Sequence, residues 1–452
     1  MKPRPTHFAL IFYLSASIFA TALSANLYAG TPNPGEVDSE RKDTVKTAEQ
    51  GFTGPITGDH LFWKDGLHIT GHYKKIKIRL NGNIFLDGGT IDPDGELKES
   101  FDGLEDSDVD FRKMSGSLSG TLFDALEFKL EIDFAQSTDI KDNWIRFTKI
   151  PVLKNIRFGH MKEPVSLEEL TSIRDITFME RSLPVEGMAP GRNMGILYET
   201  SLMDEKMTLS LGGFWETGSF SSAGEARDDL SEAAGYNLPG RMTFLPWYRD
   251  QGRRLFHLGL SYSHQFRDEE DEEAKRRLRT RPEARITDER LVDTGKFATK
   301  GSDLIGAEMA VTHGPISLQG ECLYNFMDSD AAGDPDFRGY YVYVSYFLTG
   351  ENRTYNKSRG VFTGIKPKNS FRPLQGKWGA LELALRYSHL DLNEEGIRGG
   401  KEKNITTGLN WYLNPKTRFM LNYTGARVED RGKPSIDDGK ADILQARFQW
   451  CF

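Results

Sequence analysis

Basic residues recur at alternate positions in several stretches of this chain. Lys75, Lys77 and Arg79 alternate with isoleucines in "KKIKIRL", and Arg241 alternates with apolar residues in "GRMTFLPW". Successive side chains of a strand point to opposite faces, so these cations are expected to share polar faces. Such a face is either the wet side of an ordinary sheet or the wall of a water-filled lumen that attracts anions. Both interpretations stay open at this point.

A second group of arginines lies in the mixed-charge run "RDEEDEEAKRRLRTRPEAR", which contains Arg279, Arg281 and Arg285. Runs of this kind are usually solvated loops. Arginine also presents a fixed fork of donors that matches oxyanions and stays charged, so anion binding is the alternative. Around Glu168 and Glu180, further arginines predict ion pairs that hold a segment folded.

Signals for enzymatic or metal chemistry are weak. "GSLSG" at 116–120 has Leu118 where a nucleophile elbow needs serine, and there is no HExxH or P-loop spacing. The acidic residues between Asp92 and Asp110 fit a solvated loop better than a calcium site. We therefore expect no enzyme, no metal site and no cofactor.

Alternation at period two dominates the chain from about residue 66. Examples are "LEFKLEIDF", "GALELALRYSHL", "NITTGLNWYLNP" and the final "LQARFQWCF", in which Phe448, Trp450 and Phe452 share one face. Each stretch predicts a strand with one apolar and one polar face. The two cysteines, Cys322 and Cys451, fall in separate strands on opposite faces, so we expect no disulfide.

Two architectures fit this alternation, a soluble antiparallel sandwich that binds glycans and a transmembrane barrel. Aromatic residues near strand ends, short turns at 413–417 and 311–317, and long polar segments such as 267–300 favour the barrel. The length of the chain accommodates about 16 strands of spanning length. We therefore predict an all-β transmembrane antiparallel β-barrel, with glycan binding by a secreted sandwich as the less favoured alternative.

The first residues are typical of an export signal. A basic start with Lys2 and Arg4 precedes an apolar run and small residues. We predict a signal peptide at 1–25, with cleavage possible after 29, a polar and mobile leader at 26–60, and the barrel at 61–452. An uncleaved anchor is the alternative. The formal charge of −8 argues against a nucleic-acid partner.

Several blocks resemble the phosphate-selective porin O and P family. They are "FGHMKEPVSLEELTSIRDITFMERSLPVEGMAPGRNMGI", "YYVYVSYFLTGENRTYN", "ALELALRYSHLDL" and "TGLNWYLNPKTRFMLNY". The resemblance runs from about residue 61 to 452. It implies a barrel of 16 strands in the outer membrane of a Gram-negative-type cell, usually a homotrimer, with loops folded into the lumen.

The resemblance also implies where anions bind. Phosphate-specific members carry an arginine ladder on an inward loop, matched here by Arg279 and Arg281, with Glu283 in place of the next arginine and Arg285 two positions later. In the third loop, Glu169 replaces a lysine. The further residues expected at the pore are Arg174, which keeps a basic residue in that loop, the early-strand pair Arg112 and Lys113, and the cations Arg241, Lys75, Lys77 and Arg79.

The expected function is a passive channel for small hydrophilic solutes with a preference for anions, phosphate or polyphosphate among them. Glu283 and Glu169 predict weaker discrimination for phosphate than the ladder of the specific members provides. A non-selective general porin is the alternative. An outer-membrane barrel enzyme would need a Ser/His pair at the lipid face, and no convincing pair is present. The expected partners are the solutes, outer-membrane lipid and two further copies of the chain.

Overall fold

The computed structural model describes residues 54–56, 59–63, 66–71, 75–104, 107–151, 154–218, 235–267, 275–394 and 396–452. The expected signal peptide lies outside these residues, and so does almost all of the expected leader. The described part of the leader already belongs to strands.

Strands make up most of the described residues. They are β1 Gly54–Ile56, β2 Asp59–Trp63, β3 Leu67–Gly71, β4 Ile76–Pro93, β5 Ser107–Leu122, β6 Leu126–Asp133, β7 Asp139–Ile150, β8 Lys154–Lys162, β9 Arg192–Leu202, β10 Met207–Trp215, β11 Gly235–Arg249, β12 Arg254–Arg267, β13 Arg279–Thr280, β14 Val292–Asp293, β15 Gly301–His313, β16 Ile316–Asp328, β17 Asp336–Phe347, β18 Thr354–Asn356, β19 Val361–Thr363, β20 Ala380–Glu394, β21 Ile397–Asn414, β22 Thr417–Arg431 and β23 Ile436–Cys451. The helices are short: α1 Gly95–Ser100, α2 Leu167–Leu170 and α3 Leu183–Met188, with 3-10 turns at Asp250–Gly252 and Pro373–Gln375. None of the described helices is long and apolar enough to cross a membrane.

The long strands close into a 16-stranded antiparallel barrel, which confirms the predicted fold and excludes the sandwich. Each long strand pairs with the next along the chain, and β23 pairs with β4 to close the circle. The closing seam ends where Gly82 and Phe452 exchange two backbone hydrogen bonds of 3.0 Å. A Cβ on Gly82 would lie 2.2 Å from the Phe452 ring, so any larger residue at this position would displace that ring.

The predicted alternation of faces is confirmed along the barrel strands. On β20, Leu383 and Leu385 face outward and are 45% and 48% exposed. Arg386, the next residue along the strand, faces inward and is 1% exposed. On β23, Leu444 and Trp450 face outward and Gln445 is fully buried inside. An apolar outer face and a polar inner face are what a barrel in lipid requires.

The connections differ between the two ends of the barrel, with one exception to the expected pattern. Most connections at one end are tight turns, such as 314–315 between β15 and β16. The connection 348–379 between β17 and β20 starts at that same end, because Phe347 N donates to Pro315 O at 3.0 Å. It is nevertheless long, because it turns back into the barrel and forms the β18–β19 hairpin there. We call it the returning segment.

Two long connections from the opposite end also fold inward. The third loop, residues 163–191 between β8 and β9, contains α2 and α3, and the fifth loop, residues 268–300 between β12 and β15, is described from residue 275. Leu183 and Val185 of the third loop share a hydrophobic core with Leu278 and Leu291 of the fifth loop. Fully burying side chains of this size stabilises the packing by about 2 kcal/mol each.

Candidate pore constriction

The third loop lies along the inner wall formed by β20–β23. Inward side chains of these strands donate hydrogen bonds to its backbone carbonyls over 2.6–3.0 Å; the donor and acceptor pairs are Arg386 to Glu180, Asn410 to Thr177, Arg418 to Ile176, Arg447 to Met179 and Gln449 to Arg174. Because these donors are buried, each bond also satisfies a polar group that would otherwise lack a partner.

The start of the third loop is held by β16, which is separated from β20 only by β17. Glu321 on β16 accepts from the backbone N–H groups of Leu167 and Glu168 at 2.9 and 2.7 Å, at the first turn of α2. Ser166 precedes this turn with a φ of 68°, and its hydroxyl accepts from Glu169 N at 3.1 Å. A wall carboxylate therefore pairs the free N–H groups at the start of the helix.

The returning segment docks on the wall next to the third loop. Arg241 on β11 donates to Gly360 O at 2.8 Å. The hydroxyl oxygen of Tyr355 lies 2.7 Å from Nδ1 of His257. Leu167 of the third loop packs in one hydrophobic cluster with Tyr355 and Phe362. The third loop and the returning segment therefore form one packed body inside the barrel.

The space left beside these segments is an open cavity of about 730 Å³ against the inner face of β4–β10. Its lining contains sixteen lysines and arginines and five aspartates and glutamates. The basic residues are Arg79, Arg112, Lys113, Lys129, Lys141, Arg157, Lys162, Arg174, Arg181, Arg192, Arg241, Arg285, Arg359, Lys366, Lys416 and Arg418. The cavity is thus strongly basic although the whole chain carries a formal charge of −8.

Most of these cations are neutralised by carboxylates that line the cavity or lie behind it. Arg112 forms a bidentate pair with Glu180 of the third loop at 2.6 and 2.9 Å. Burial raises the pKa of Glu180, but Arg112 outweighs this effect and holds the pKa below its usual range. Lys113 pairs with Glu131 at 2.9 Å.

A β-bulge explains how two consecutive basic residues both face the lumen. The register between β4 and β5 shifts so that Phe85 pairs with Lys113 and Leu86 with Phe111, which leaves Arg112 as the extra residue. Phe111 stays on the outer surface at 42% exposure, while Lys113 is buried inside. The bulge turns Arg112 to the same side as Lys113.

The other predicted pore residues separate into two groups. Arg79, Arg174 and Arg285 line the cavity, and so does Arg241, which is buried in a pair with Glu308 at 2.6 Å. Lys75 and Lys77 do not line it, contrary to expectation; they lie at the short-turn end, where Lys77 is 3.5 Å from Asp124. They follow the predicted alternation, but the strand there extends beyond the constriction.

The arginines of the fifth loop differ in their position relative to the cavity. Arg279 is exposed and does not line the cavity. Arg281 is buried, donates to Thr287 O at 2.8 Å and pairs with Asp288. Arg285 lines the cavity, and its buried Nε has no hydrogen-bond partner. Burial, followed by the nearby charge of Arg112, lowers the pKa of Arg285. Arg285 is therefore the member of this group that faces the cavity without an ion pair among the described residues, and the charges of Glu180 and Glu186 compensate it only partly.

The two carboxylates that replace basic residues of the family do not face the channel. Glu283 is 2% exposed, and its carboxylate lies 2.6 Å from Arg386 and accepts from Thr406 at 2.7 Å. Glu169 is buried between Arg181 at 2.7 Å and Lys162 at 3.1 Å. Both act as counter-charges for basic residues, and neither is part of the cavity lining.

Sequence reasoning missed the basic residues of the returning segment, Arg359 and Lys366, both exposed in the cavity. Their surroundings, "KSRG" and "GIKPK", carry only turn-forming residues. The length of the segment between two strongly alternating strands was the available signal, because a tight turn at that end needs only a few residues.

Comparison with known proteins shows the family and the fold of this chain. A family model described as phosphate-selective porin O and P matches residues 78–452. Porin O of Pseudomonas aeruginosa is 25% identical over 479 residues, which cover 97% of this chain and 98% of that protein. An uncharacterized protein of Caulobacter vibrioides is 28% identical over 387 residues, which cover 84% of this chain and 74% of that protein.

Solved porins share the fold at low sequence identity. The anion-selective porin from Comamonas acidovorans is 13% identical with a TM-score of 0.50, covering 83% of this chain and 100% of its own. The outer membrane channel DcaP of Acinetobacter baumannii is 11% identical with a TM-score of 0.51, covering 83% of this chain and 97% of its own.

The family match and the closed barrel identify a channel in the outer membrane of a Gram-negative cell, and not an enzyme. The match covers all sixteen barrel strands except the first two residues of β4. The chain belongs to the phosphate-selective porin O and P family.

Proposed function

We propose that this porin conducts small hydrophilic anions by passive diffusion and prefers oxyanions of the phosphate and polyphosphate type. The observation that carries the proposal is the excess of basic over acidic side chains in the cavity lining. A lumen with this charge attracts anions and repels cations regardless of the net charge of the protein.

A subset of the lining cations would provide most of the attraction for anions. Arg79, Arg285, Arg359 and Lys366 line the cavity and form no ion pair with a carboxylate of the described residues. Arg174 is 44% exposed there, and its nearest carboxylate oxygen, on Asp175, is 3.6 Å away. Several weak stations of this kind let an anion enter and still leave, which conduction requires. Arg112, Lys113 and Arg241 would act indirectly, because carboxylates already hold them.

A general porin with weak selectivity is the second candidate. The extensive pairing of lining cations with carboxylates favours it, because an ion pair presents little net field to a passing solute. The burial of Glu169 and Glu283 favours anion preference, because their negative charges are paired with basic residues away from the solute path.

Planar-bilayer recording of the refolded protein tests the proposal. In a KCl gradient we expect a reversal potential of the sign for chloride permeation, and partial block of the current by added phosphate. A reversal potential near zero that does not respond to phosphate would establish the general porin instead.

Two further parts of the expected biology remain proposals. We propose export through a signal peptide at 1–25, and assembly as a homotrimer as in the family. An apolar groove of about 430 Å³ on the outer face, lined by Gly88, Ala446 and Phe448 among others, supports a contact between copies there. Mass determination of the mature protein and native electrophoresis in mild detergent test these two points.

A further inference from the structure

Arg386 is a buried arginine on the inner face of β20 that reaches two inward loops at once. Its Nη2 lies 2.6 Å from Oε2 of Glu283 in the fifth loop. Its Nη1 donates to Glu180 O of the third loop at 3.0 Å and lies 3.4 Å from Oε1 of Glu168. The guanidinium carbon is 4.4 Å from the ring centroid of Phe178, also in the third loop.

The fifth loop is shaped to present its carboxylate at this point. Glu283 has a φ of 54°, an unfavourable conformation for a residue with a Cβ, and this conformation persists only where surrounding contacts hold it. Its carboxylate accepts from Thr406 at 2.7 Å on the wall and from Leu183 N at 3.3 Å in the third loop. The two loops therefore meet directly at Glu283.

The third loop brings a second carboxylate to the same place. Glu168 is 3% exposed and accepts from the backbone N–H and the hydroxyl of Ser182 at 2.9 and 2.7 Å. Without Arg386, two buried carboxylates from different loops would share a site that has lost its central cation. Leaving buried charges uncompensated is strongly unfavourable, so the two loops would move apart or admit water.

We propose that Arg386 is a positioning residue that clamps the third and fifth loops to each other and to the wall, so that the width of the constriction is set as one unit. The consequence reaches the solute path through Arg285, which lies two residues beyond Glu283 and lines the cavity. The inference rests on the channel itself and not on its preference for anions.

The test compares Arg386→Met with Arg431→Met in planar bilayers. Arg431 is an equally suitable buried wall arginine, because it is 5% exposed and donates to the backbone of Arg290 and Leu291, contacting the fifth loop away from the junction. We expect Arg386→Met to raise single-channel conductance by roughly twofold and to increase current noise, because a wider constriction passes more ions. Arg431→Met should stay close to the unmodified channel. Equal conductance of the two variants, both folded by heat-modifiable gel mobility, would overturn the proposal.

Charge rescue separates positioning from a merely structural role. Arg386→Lys keeps the cation and should retain near-normal conductance. Adding Glu283→Gln to Arg386→Met removes the repulsion between the carboxylates at positions 283 and 168. The amide oxygen can still accept from Leu183 N and the amide NH2 can donate to the hydroxyl of Thr406, so the conductance should return toward normal. A double variant as open as Arg386→Met alone would overturn the clamp.

A variant in the loop guards against failure of the wall variant to fold. Glu283→Lys leaves the barrel strands unchanged and sets a cation against Arg386, so it should open the channel as Arg386→Met does; unchanged conductance would contradict the proposal. Selectivity of the unmodified channel is recorded in the same membranes. A non-selective channel that still opens in these variants would remove the proposed anion preference and leave the clamp standing.

Discussion

At the scale of single residues, the cavity distinguishes basic side chains that are already paired from those that are not. Arg112 and Arg241 line the cavity, yet each is held by a carboxylate at 2.6 Å. Arg285 lies nearby without such a partner. Selectivity is therefore expected to depend on a few positions and not on the total of basic residues.

Replacing Arg285 with alanine should reduce anion selectivity. Loss of this partly compensated charge in the constriction removes about 1 kcal/mol of attraction for an anion, which lowers the anion-to-cation permeability ratio several-fold. Reversal potentials in a KCl gradient measure this ratio. Arg279→Ala is the matched control, because Arg279 belongs to the same loop but lies outside the cavity lining. Equal ratios in the two variants would contradict the assignment.

We predict that Glu163, at the start of the third loop, makes the free energy of unfolding depend on pH. It is fully buried, and burial raises its pKa to about 6, although hydrogen bonds from Asn237 and Asn193 partly oppose the rise. Because the folded state favours the neutral acid, its stabilising contribution is complete below about pH 4.5 and is lost as the pH rises through about 6.

Glu163→Gln should accordingly make the folded protein more stable by about 2 kcal/mol at pH 8, with the difference disappearing below about pH 4.5. Guanidinium unfolding in detergent at several pH values measures this. The exposed Glu205→Gln serves as the control. A constant difference between Glu163→Gln and the unmodified protein at all pH values would refute the prediction.

At the scale of elements, alternation predicted the barrel strands and the family resemblance predicted inward loops, whereas the contacts of those loops and the returning segment could not be predicted. Period-two alternation is a local signal, so stretches such as "LEFKLEIDF" identify their strand and its inner face directly. The partners of inward side chains are distant in the chain. Arg386 and Glu283, for example, are brought together only by the closed barrel, and no spacing rule relates them. For the same reason, the family pattern at Glu283 indicated a change in the pore, whereas the carboxylate points to the wall.

Arg353 is a buried arginine of the returning segment that bonds to the barrel wall. Arg353 is 3% exposed, donates to Gln319 at 2.8 Å and to the hydroxyl of Tyr343, and lies 3.8 Å from the ring centroid of Phe362. Its removal takes a charged donor away from Gln319 and Tyr343, whose own hydrogen bond of 2.9 Å remains, and uncovers the ring of Phe362. We estimate the loss of docking energy at about 2 kcal/mol or more.

Arg353→Ala should therefore loosen the segment while the barrel stays closed. Trypsin cleavage after the exposed Arg359 should become faster, and heat-modifiable mobility should be retained. Lys368→Ala, which removes an exposed side chain of the same segment, provides the comparison. Trypsin resistance equal to that of the unmodified protein would show that other contacts hold the segment.

At the scale of the whole molecule, closure of the barrel depends on close approach at the seam between β4 and β23. Gly82→Val places methyl groups where the Phe452 ring now lies, so the ring must leave the seam. Overpacking of this kind costs about 1–3 kcal/mol. We expect a smaller fraction of closed barrel after refolding, measured by heat-modifiable mobility. Gly116→Val on the neighbouring strand is the control, because a Cβ there meets nothing within 4 Å. Equal refolding yields would contradict the importance of this contact.

The polar inner wall of β20–β23 has a consequence for the order of folding. Its arginines, asparagine and glutamine hold the third loop through backbone carbonyls, but before the loop arrives water can satisfy the same donors. A barrel that closed before its loops docked would therefore have a complete sheet and a water-filled lumen. Late docking of the loops would then leave, for that interval, a channel that admits larger compounds than the finished constriction does.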